Sequence, residues 1–441
     1  MQPSHEKPQN ARSPQTQPPL KNPEGRDCEA EQTQCCVVGG GPAGMMLGLL
    51  LARAGVRVTV LEKHRDFLRD FRGDTVHPST LRLLDELGLG ERFARLPAGH
   101  LEQMRIQVGG TTVVMADFRR LRGPHRHIAM VPQWDFLDLL AAAAAEEPSF
   151  DLRMCSEVTG LRTGSGRVTG VRYRDVDGVE RELAAPLTVG CDGRWSVVRR
   201  AAGLRSIDFE LPMDVWQVRA AKADGATDGE VFGRFGGGRA AVTMDRGDYY
   251  QTAYLIPKGH DEALRAQDIS VFRAQLAELF GWSEEQLEPV RSWDDVKLLR
   301  TEMNRLRRWY GEGVLCIGDA AHVMSPVGGV GVNIAVQDAV AAARFLAEPL
   351  RRGHVPTSVL AKIQRRRSLP VVVAQQSQRG EHEMLLRPAL DGTLDERKLP
   401  VLLRLLRRFP ALRGLTGYIG GIGIRPERAP AFARRSPARV S

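Results

Sequence analysis

Residues 34–63 read QCCVVGGGPAGMMLGLLLARAGVRVTVLEK. A short apolar run, a glycine-rich turn, an apolar stretch of helical length and a second β-branched run make a βαβ unit. Gly39, Gly41 and Gly44 form GxGxxG at the strand–helix junction, the context in which the motif has a physical role. The first glycine permits a tight turn, the second lets backbone approach a pyrophosphate, and the third lets helix pack on strand. The helix start then offers free N–H groups and a positive dipole end to an anion. Glu62, followed by Lys63, closes the second strand, where a carboxylate can accept hydrogen bonds from both hydroxyls of an adenosine ribose. A free 2′-hydroxyl is implied, so FAD or NAD is expected here rather than NADP. The glycines alone would equally suit a structural turn; the flanking strands and the acid carry the reading.

Far downstream, residues 316–339 read CIGDAAHVMSPVGGVGVNIAVQDA. An apolar strand ends at Gly318-Asp319, and Pro326-x-x-Gly329-x-Gly331-x-Asn333 leads into a helix. An Asp at a strand's end can bind a sugar-like hydroxyl, while the glycines expose backbone N–H groups to something anionic or electron-rich. FAD is long enough to need both cradles, one for its adenosine end and one for its ribityl chain and ring. The plain alternative is a second Gly-rich turn beside a solvated Asp.

Between the two lies VGCDGRWSVVRRAAG, residues 189–203, which sets Asp192-Gly193 after a strand, with Ser196 and Arg199 following. With this third fingerprint the sequence resembles the FAD-dependent aromatic monooxygenases, the para-hydroxybenzoate hydroxylase-like family. That family shows GxGxxG, DG, and GD followed by PxxGxGxN in this order. The resemblance spans residues 34–375, is weakest over 206–300, and departs from the common pattern at Val330, where Gln is frequent.

The resemblance implies an α/β fold: a Rossmann-like FAD-binding domain with an inserted β-sheet substrate domain and C-terminal helices. The expected division is a disordered tail over 1–32 and a discontinuous FAD-binding domain over 33–75, 100–205 and 300–375. Residues 76–99 and 206–299 form the substrate-binding region, and 376–441 a C-terminal helical segment. By the same resemblance Gly39, Gly41, Gly44, Glu62 and Lys63 would hold the ADP portion of FAD. Asp319 would bind the ribityl or pyrophosphate region. Pro326 and the backbone of Gly328, Gly329, Gly331, Val332 and Asn333 would line the flavin ring. Arg72 and Gln133 match family positions that touch FAD, and a guanidinium suits phosphate. Asp192 and Gly193 would support FAD and transient NADH or NADPH. The implied reaction is reduction of FAD by NAD(P)H, oxygen addition at the flavin C4a and transfer of one oxygen atom. No metal and no nucleophilic triad is expected, because the cofactor carries the chemistry. His322 is tempting as an acid or base, but packing beside the loop is the simpler reading.

The substrate chamber is expected within 206–300, where Trp216, Phe232, Met244 and Tyr254 suit a planar, hydrophobic ligand. The same alternation is equally that of sheet core. A prenyl-chain reductase or a flavin-binding protein without turnover would share the fingerprints. A halogenase is disfavoured, since TAYLIP at 252–257 keeps only the tail of WxWxIP.

The 62 Lys+Arg against 53 Asp+Glu give +9, but the arginines are scattered through helices and no nucleic-acid module occurs. Nucleic acid is therefore not an expected partner. Six cysteines without CxxC spacing suit a reducing cytosol. The first residues lack an apolar signal core, and no transmembrane run is seen. LPVLLRLLRRFPALRGL, with its Leu/Arg pattern, makes weak membrane-surface association the subsidiary expectation.

Overall fold

The computed structural model describes residues 31–68, 75–223 and 231–435. Most of the expected N-terminal tail, and Cys28, Arg72 and Asp74, lie outside them. Five helices position the site: α1 (Pro42–Arg53), α2 (Gly331–Arg351), α3 (Thr357–Glu381), α4 (Val401–Arg408) and α5 (Pro410–Gly421).

A six-stranded sheet carries the nucleotide side. Its order is Tyr310–Gly311, Val314–Cys316, Thr188–Gly190, Cys35–Val38, Val58–Leu61 and Phe150–Arg153. All neighbours are parallel except the first pair. The four central strands, Val314–Cys316, Thr188–Gly190, Cys35–Val38 and Val58–Leu61, are short, fully buried and mostly apolar because both faces are covered, as parallel sheets require. α1 is buried along nearly its whole length and packs against α2, so both glycine-cradle helices share one core. Fully burying leucines such as Leu47, Leu49 and Leu50 contributes roughly 1.5–3 kcal/mol each. The stretch Val327–Arg351 is long and apolar enough to cross a membrane, but most of it is buried in this core.

The second sheet has seven strands, ordered Lys297–Leu299, Met213–Ala221, Tyr249–Pro257, Arg239–Asp245, Val231–Gly236, Gln103–Val108 and Thr111–Asp117. Two domain boundaries therefore differ from expectation. Residues 103–117, assigned to the FAD-binding domain, belong to this sheet: Phe232 to Phe235 pair in parallel with Arg105 to Val108. Residues 76–99, assigned to substrate binding, send Leu81, Leu83, Leu84, Leu87 and Phe93 into the nucleotide core. One face of the sheet is sealed by the helix Ile269–Phe280. The other faces the turn His382–Leu386 and α4, whose Leu403 and Leu406 pack with Met213, Phe235 and Leu255.

All five described cysteines are unpaired. Burial pushes the Cys36 thiol up to about 12, so it serves as a small apolar side chain.

Candidate cofactor site

The three fingerprints meet at the carboxyl ends of the central strands. Gly39 has φ +102°, and a Cβ there would lie 2.5 Å from the Cys191 carbonyl oxygen, so the first glycine turn seats directly on the DG loop. A Cβ on Gly44 would come within 1.9 Å of the Gly39 carbonyl oxygen; helix and strand touch there. Gly41 is different, since a Cβ on it would meet nothing within 4 Å. α1 begins beside that open space with no side-chain cap and no acid in its first turn. Its first amides are the unpartnered donors of a helix start, and an anionic phosphate fits them.

Glu62 is buried and faces the same turn. Its Oε2 accepts from the Gly40 amide at 2.7 Å and its Oε1 from the His64 amide at 3.0 Å. A carboxylate oxygen can accept more than one hydrogen bond, so ribose hydroxyls remain within its capacity. Lys63 is exposed beside it.

Asp192 is used within its own loop. Ser196 Oγ donates to Oδ1 at 2.5 Å and the Val198 amide to Oδ2 at 3.1 Å. Burial raises its carboxyl above the usual range, with these donors opposing the shift. Gly193, at φ +77°, completes the turn.

In the second cradle Gly318 takes φ +58°, Gly328 +76° and Gly329 +61°, and α2 starts at Gly331 without a side-chain cap. Asp319 is half-buried at the strand end. Pro326 is exposed, while Gly328, Gly329, Gly331 and Val332 are half-buried. Asn333 does a different job from its neighbours. Its Oδ1 accepts from the His77 amide at 2.9 Å and from Thr80 Oγ1 at 2.8 Å, and its Nδ2 donates to the Thr75 carbonyl at 3.1 Å. Thr75 Oγ1 in turn donates to the Gly329 carbonyl at 2.7 Å. The strand Thr75–Val76 pairs with Ile128–Met130, which sets Met130 opposite Thr75; the half-buried Gln133 opens the helix that follows.

Several residues of this frame were not singled out from the sequence. Gln378 on α3 accepts from the Ser325 amide at 3.1 Å and donates to the Ser325 and Val327 carbonyls at 2.8 and 2.7 Å. His382 Nε2 lies 2.9 Å from Ser325 Oγ. Burial lowers the His382 imidazole to about 4, so it is neutral at physiological pH. Gln375, Gln378 and His382 fall at i, i+3 and i+7, and that polar stripe along the buried side of α3 and just past its end was the available signal. Asp338, inside the quoted 316–339 stretch, contacts His322 Nε2 at 2.6 Å and Arg367 Nε at 2.8 Å, all three buried. His322 is thus a packed partner of Asp338, lying against Trp309 with ring centroids 5.0 Å apart.

The substrate candidates divide. Trp216 and Tyr254, expected to line the chamber, lie instead on the sealed face. Trp216 meets Phe272 and Trp293 at 5.0 Å between centroids and donates to Asp261, and the Tyr254 hydroxyl donates to Gln275. They are sheet core, because the aromatic positions of both strands point toward the helix Ile269–Phe280. Met244 lies on the opposite face and, like Met104 and Ile422, packs against the cluster of Leu101, Ala116, Phe118 and Met130. Phe232 sits opposite Thr243 in the register. Gln217, Val242 and Ala253 share Met244's face by strand parity and are half-buried.

Residues 32–377 match the FAD binding domain family. The chain belongs to the FAD-dependent aromatic monooxygenases of the para-hydroxybenzoate hydroxylase type. Over 417 residues it is 33% identical to the 6-methylpretetramide 4-monooxygenase of Streptomyces rimosus, covering 93% of this chain and 98% of that one. The structure of CabE, an aromatic hydroxylase from angucycline biosynthesis, superposes with TM-score 0.68 at 25% identity, over 90% of this monooxygenase and 77% of CabE. The fold is also that of PqsL from Pseudomonas aeruginosa, with TM-score 0.67, 21% identity, and coverage of 82% and 98%. Longer relatives are matched in part: this monooxygenase spans 61% of the rifampicin monooxygenase of Streptomyces venezuelae, at 30% identity over 323 residues. The cradles therefore belong to an FAD-dependent oxidoreductase.

Proposed function

We propose that this monooxygenase inserts one atom of O₂ into a polycyclic aromatic, polyketide-like or quinone-like molecule, with NADH or NADPH as electron donor. The observation that carries the reading is the position of Val327. It lies in the loop of the second cradle and packs on the cluster formed by Met213, Phe235 and Leu255 of the seven-stranded sheet. A ring held against that loop would face a broad, half-open sheet surface bearing Val242, Met244, Ala253 and Gln217. Such a surface suits a flat, mostly apolar ligand with few polar anchors.

When bound, FAD supplies the redox and oxygen-activating chemistry. The protein's own contribution is to hold, orient and keep dry. The α1 amides would take the pyrophosphate and Glu62 the adenosine ribose. Asp319 would take a hydroxyl of the ribityl region, and the 328–333 backbone would border the ring. Gln378 and His382 fix Ser325 and Val327, so the loop meets the ring in one conformation. Leu385, Leu386, Leu403 and Leu406 cover the sheet beside Val327 and exclude water from the chamber wall. Relatives that act on pretetramide and other aromatic polyketides support the substrate class.

The test uses FAD-loaded protein, NADH or NADPH, isotopically labelled O₂ and anhydrotetracycline as a polycyclic phenol probe. The expected result is probe-stimulated cofactor oxidation and one labelled oxygen in the product. Flavin reduction by NAD(P)H, with no label entering any polycyclic phenol tried, would turn the reading toward a reductase.

A further inference from the structure

The C-terminal helices leave a surface that the oxygenation chemistry does not use. Residues 397–426 contain seven Lys or Arg and no Asp or Glu. Eight of the fifteen large apolar side chains exposed on the described residues fall between Val401 and Ile424, so the apolar exposure is concentrated here. Phe409 is 51% and Leu415 55% exposed, and Leu402, Leu405, Tyr418 and Ile419 are also open to solvent. This is not an unfinished helix, because the other side of α4 is seated: Leu403 and Leu406 are buried in the sheet cluster.

At 100° per residue, the exposed Val401, Leu402 and Leu405 fall within about 100° of one another on α4, and Phe409 follows at its C-terminal end. Arg408 and Arg404 border this stripe, while Arg407 lies on the opposite side of the helix. Those three arginines have no carboxylate partner among the described residues, unlike Arg387, which pairs with Glu383. An apolar stripe bordered by unpaired cations, with Phe409 and Tyr418 among its exposed rings, matches the requirements of a charged lipid interface. A second copy of the chain fits poorly, because the same acid-free patch would face itself and like charges oppose one another.

We propose that the α4–α5 surface docks this enzyme on an anionic lipid membrane, with the aliphatic and aromatic side chains entering the headgroup boundary. The inference stands apart from the choice of substrate. Since α4 also walls the seven-stranded sheet, docking would set the substrate face beside a phase in which polycyclic apolar molecules accumulate.

The experiment is co-sedimentation of full-length, FAD-loaded protein with phosphatidylglycerol vesicles and, separately, phosphatidylcholine vesicles. Wild type is expected in the phosphatidylglycerol pellet alone, with binding that weakens as salt is raised. Each basic residue near the surface contributes about 1 kcal/mol, so Arg404→Glu and Arg408→Glu together, each reversing a charge, should cut the partition coefficient by roughly a hundredfold or more. Leu402→Ser, Leu405→Ser and Phe409→Ser together should weaken it independently. Flavin content and gel-filtration volume check that both variants remain folded. Wild type left in the supernatant with either lipid overturns the proposal, as does binding that neither variant alters. A concentration-dependent dimer lost in the apolar variant, with no vesicle binding, would assign the patch to self-association instead.

Discussion

The backbone amide of His77 donates to the side-chain oxygen of Asn333 across 2.9 Å. That bond joins the segment following the first nucleotide unit to the helix of the second cradle. Asn333 also receives Thr80 Oγ1 and donates to the Thr75 carbonyl, so one buried amide holds a second-cradle helix against residues 75–80. Asn333→Ala removes three bonds and strands a buried amide donor. Net hydrogen bonds are worth about 1 kcal/mol and an unpaired buried group costs about 1–3 kcal/mol, so a loss of roughly 2–4 kcal/mol is expected. Urea unfolding of the apoprotein measures it, and FAD retention through gel filtration should fall in parallel. An unchanged midpoint would show that the bridge is dispensable.

Asp338 is a buried anion between His322 and Arg367. Burial favours its neutral form, but the two partners prevail and hold its pKa below the ordinary carboxylate value. Its folded pKa is depressed, so the associated stability is present above the unfolded value and is lost as pH falls through the folded one. Removing one partner of a buried pair costs roughly 3–5 kcal/mol, because the other charge is left uncompensated. Arg367→Met should therefore destabilise strongly at neutral pH, and Arg367→Met with Asp338→Asn should recover part of the loss. Thermal melts of the two variants decide the point; a double variant no better than the single one would contradict it.

What could be read beforehand follows from how local each signal is. The placement of Gly39, Gly41, Asp192 and Asp319 just past strand ends, and of Gly44 in the first turn of α1, was legible because each lies within a few residues of its own motif. The parallel pairing of Phe232 with Arg105 was not, since nothing in either strand records a partner so far away in the chain. Trp216 and Tyr254 show the limit of periodicity. Alternation says that one face is apolar, not which face meets the cofactor, and here the aromatic face meets the helix Ile269–Phe280. Asn333 was found for its place in the motif, but its side chain is occupied by residues 75–80. The bonds of Gln378 and Asp338 depend on how α3 lies across the fold, which no short pattern contains.

Glu381 closes α3, beside Gln378 and His382, with no hydrogen bond or ion pair to a described residue. Burial raises its carboxyl from 4.5 to about 7. Between those values the folded protein holds a proton that the unfolded chain has released. Stability is therefore greatest below the unfolded value, falls as pH rises through the window, and stays reduced above about 7. Each pH unit across that window corresponds to about 1.4 kcal/mol at most, and solvent access at this half-buried site reduces it, so about 1–2 kcal/mol is expected. Glu381→Gln should gain that much over wild type in slightly alkaline buffer, progressively less as pH falls through the window, and nothing once pH reaches 4.5 or below. Equal gains at both ends would place the effect in packing rather than ionisation.

The glycines of the first cradle allow folding to be separated from cofactor binding. Gly44→Ala puts a methyl 1.9 Å from a backbone carbonyl oxygen that cannot move without unseating α1 from its strand. It should destabilise the apoprotein at or beyond the upper end of the roughly 1–3 kcal/mol typical of overpacking. Gly41→Ala meets open space within the protein and has φ −73° at an extended ψ, which alanine adopts without strain. Its apoprotein should melt with the wild type, while its FAD dissociation constant rises at least roughly tenfold, equivalent to about 1.4 kcal/mol. Melting of both apoproteins, followed by flavin-fluorescence titration, distinguishes the two roles. If Gly41→Ala binds FAD as tightly as wild type, the open space beside α1 is not where the pyrophosphate lies.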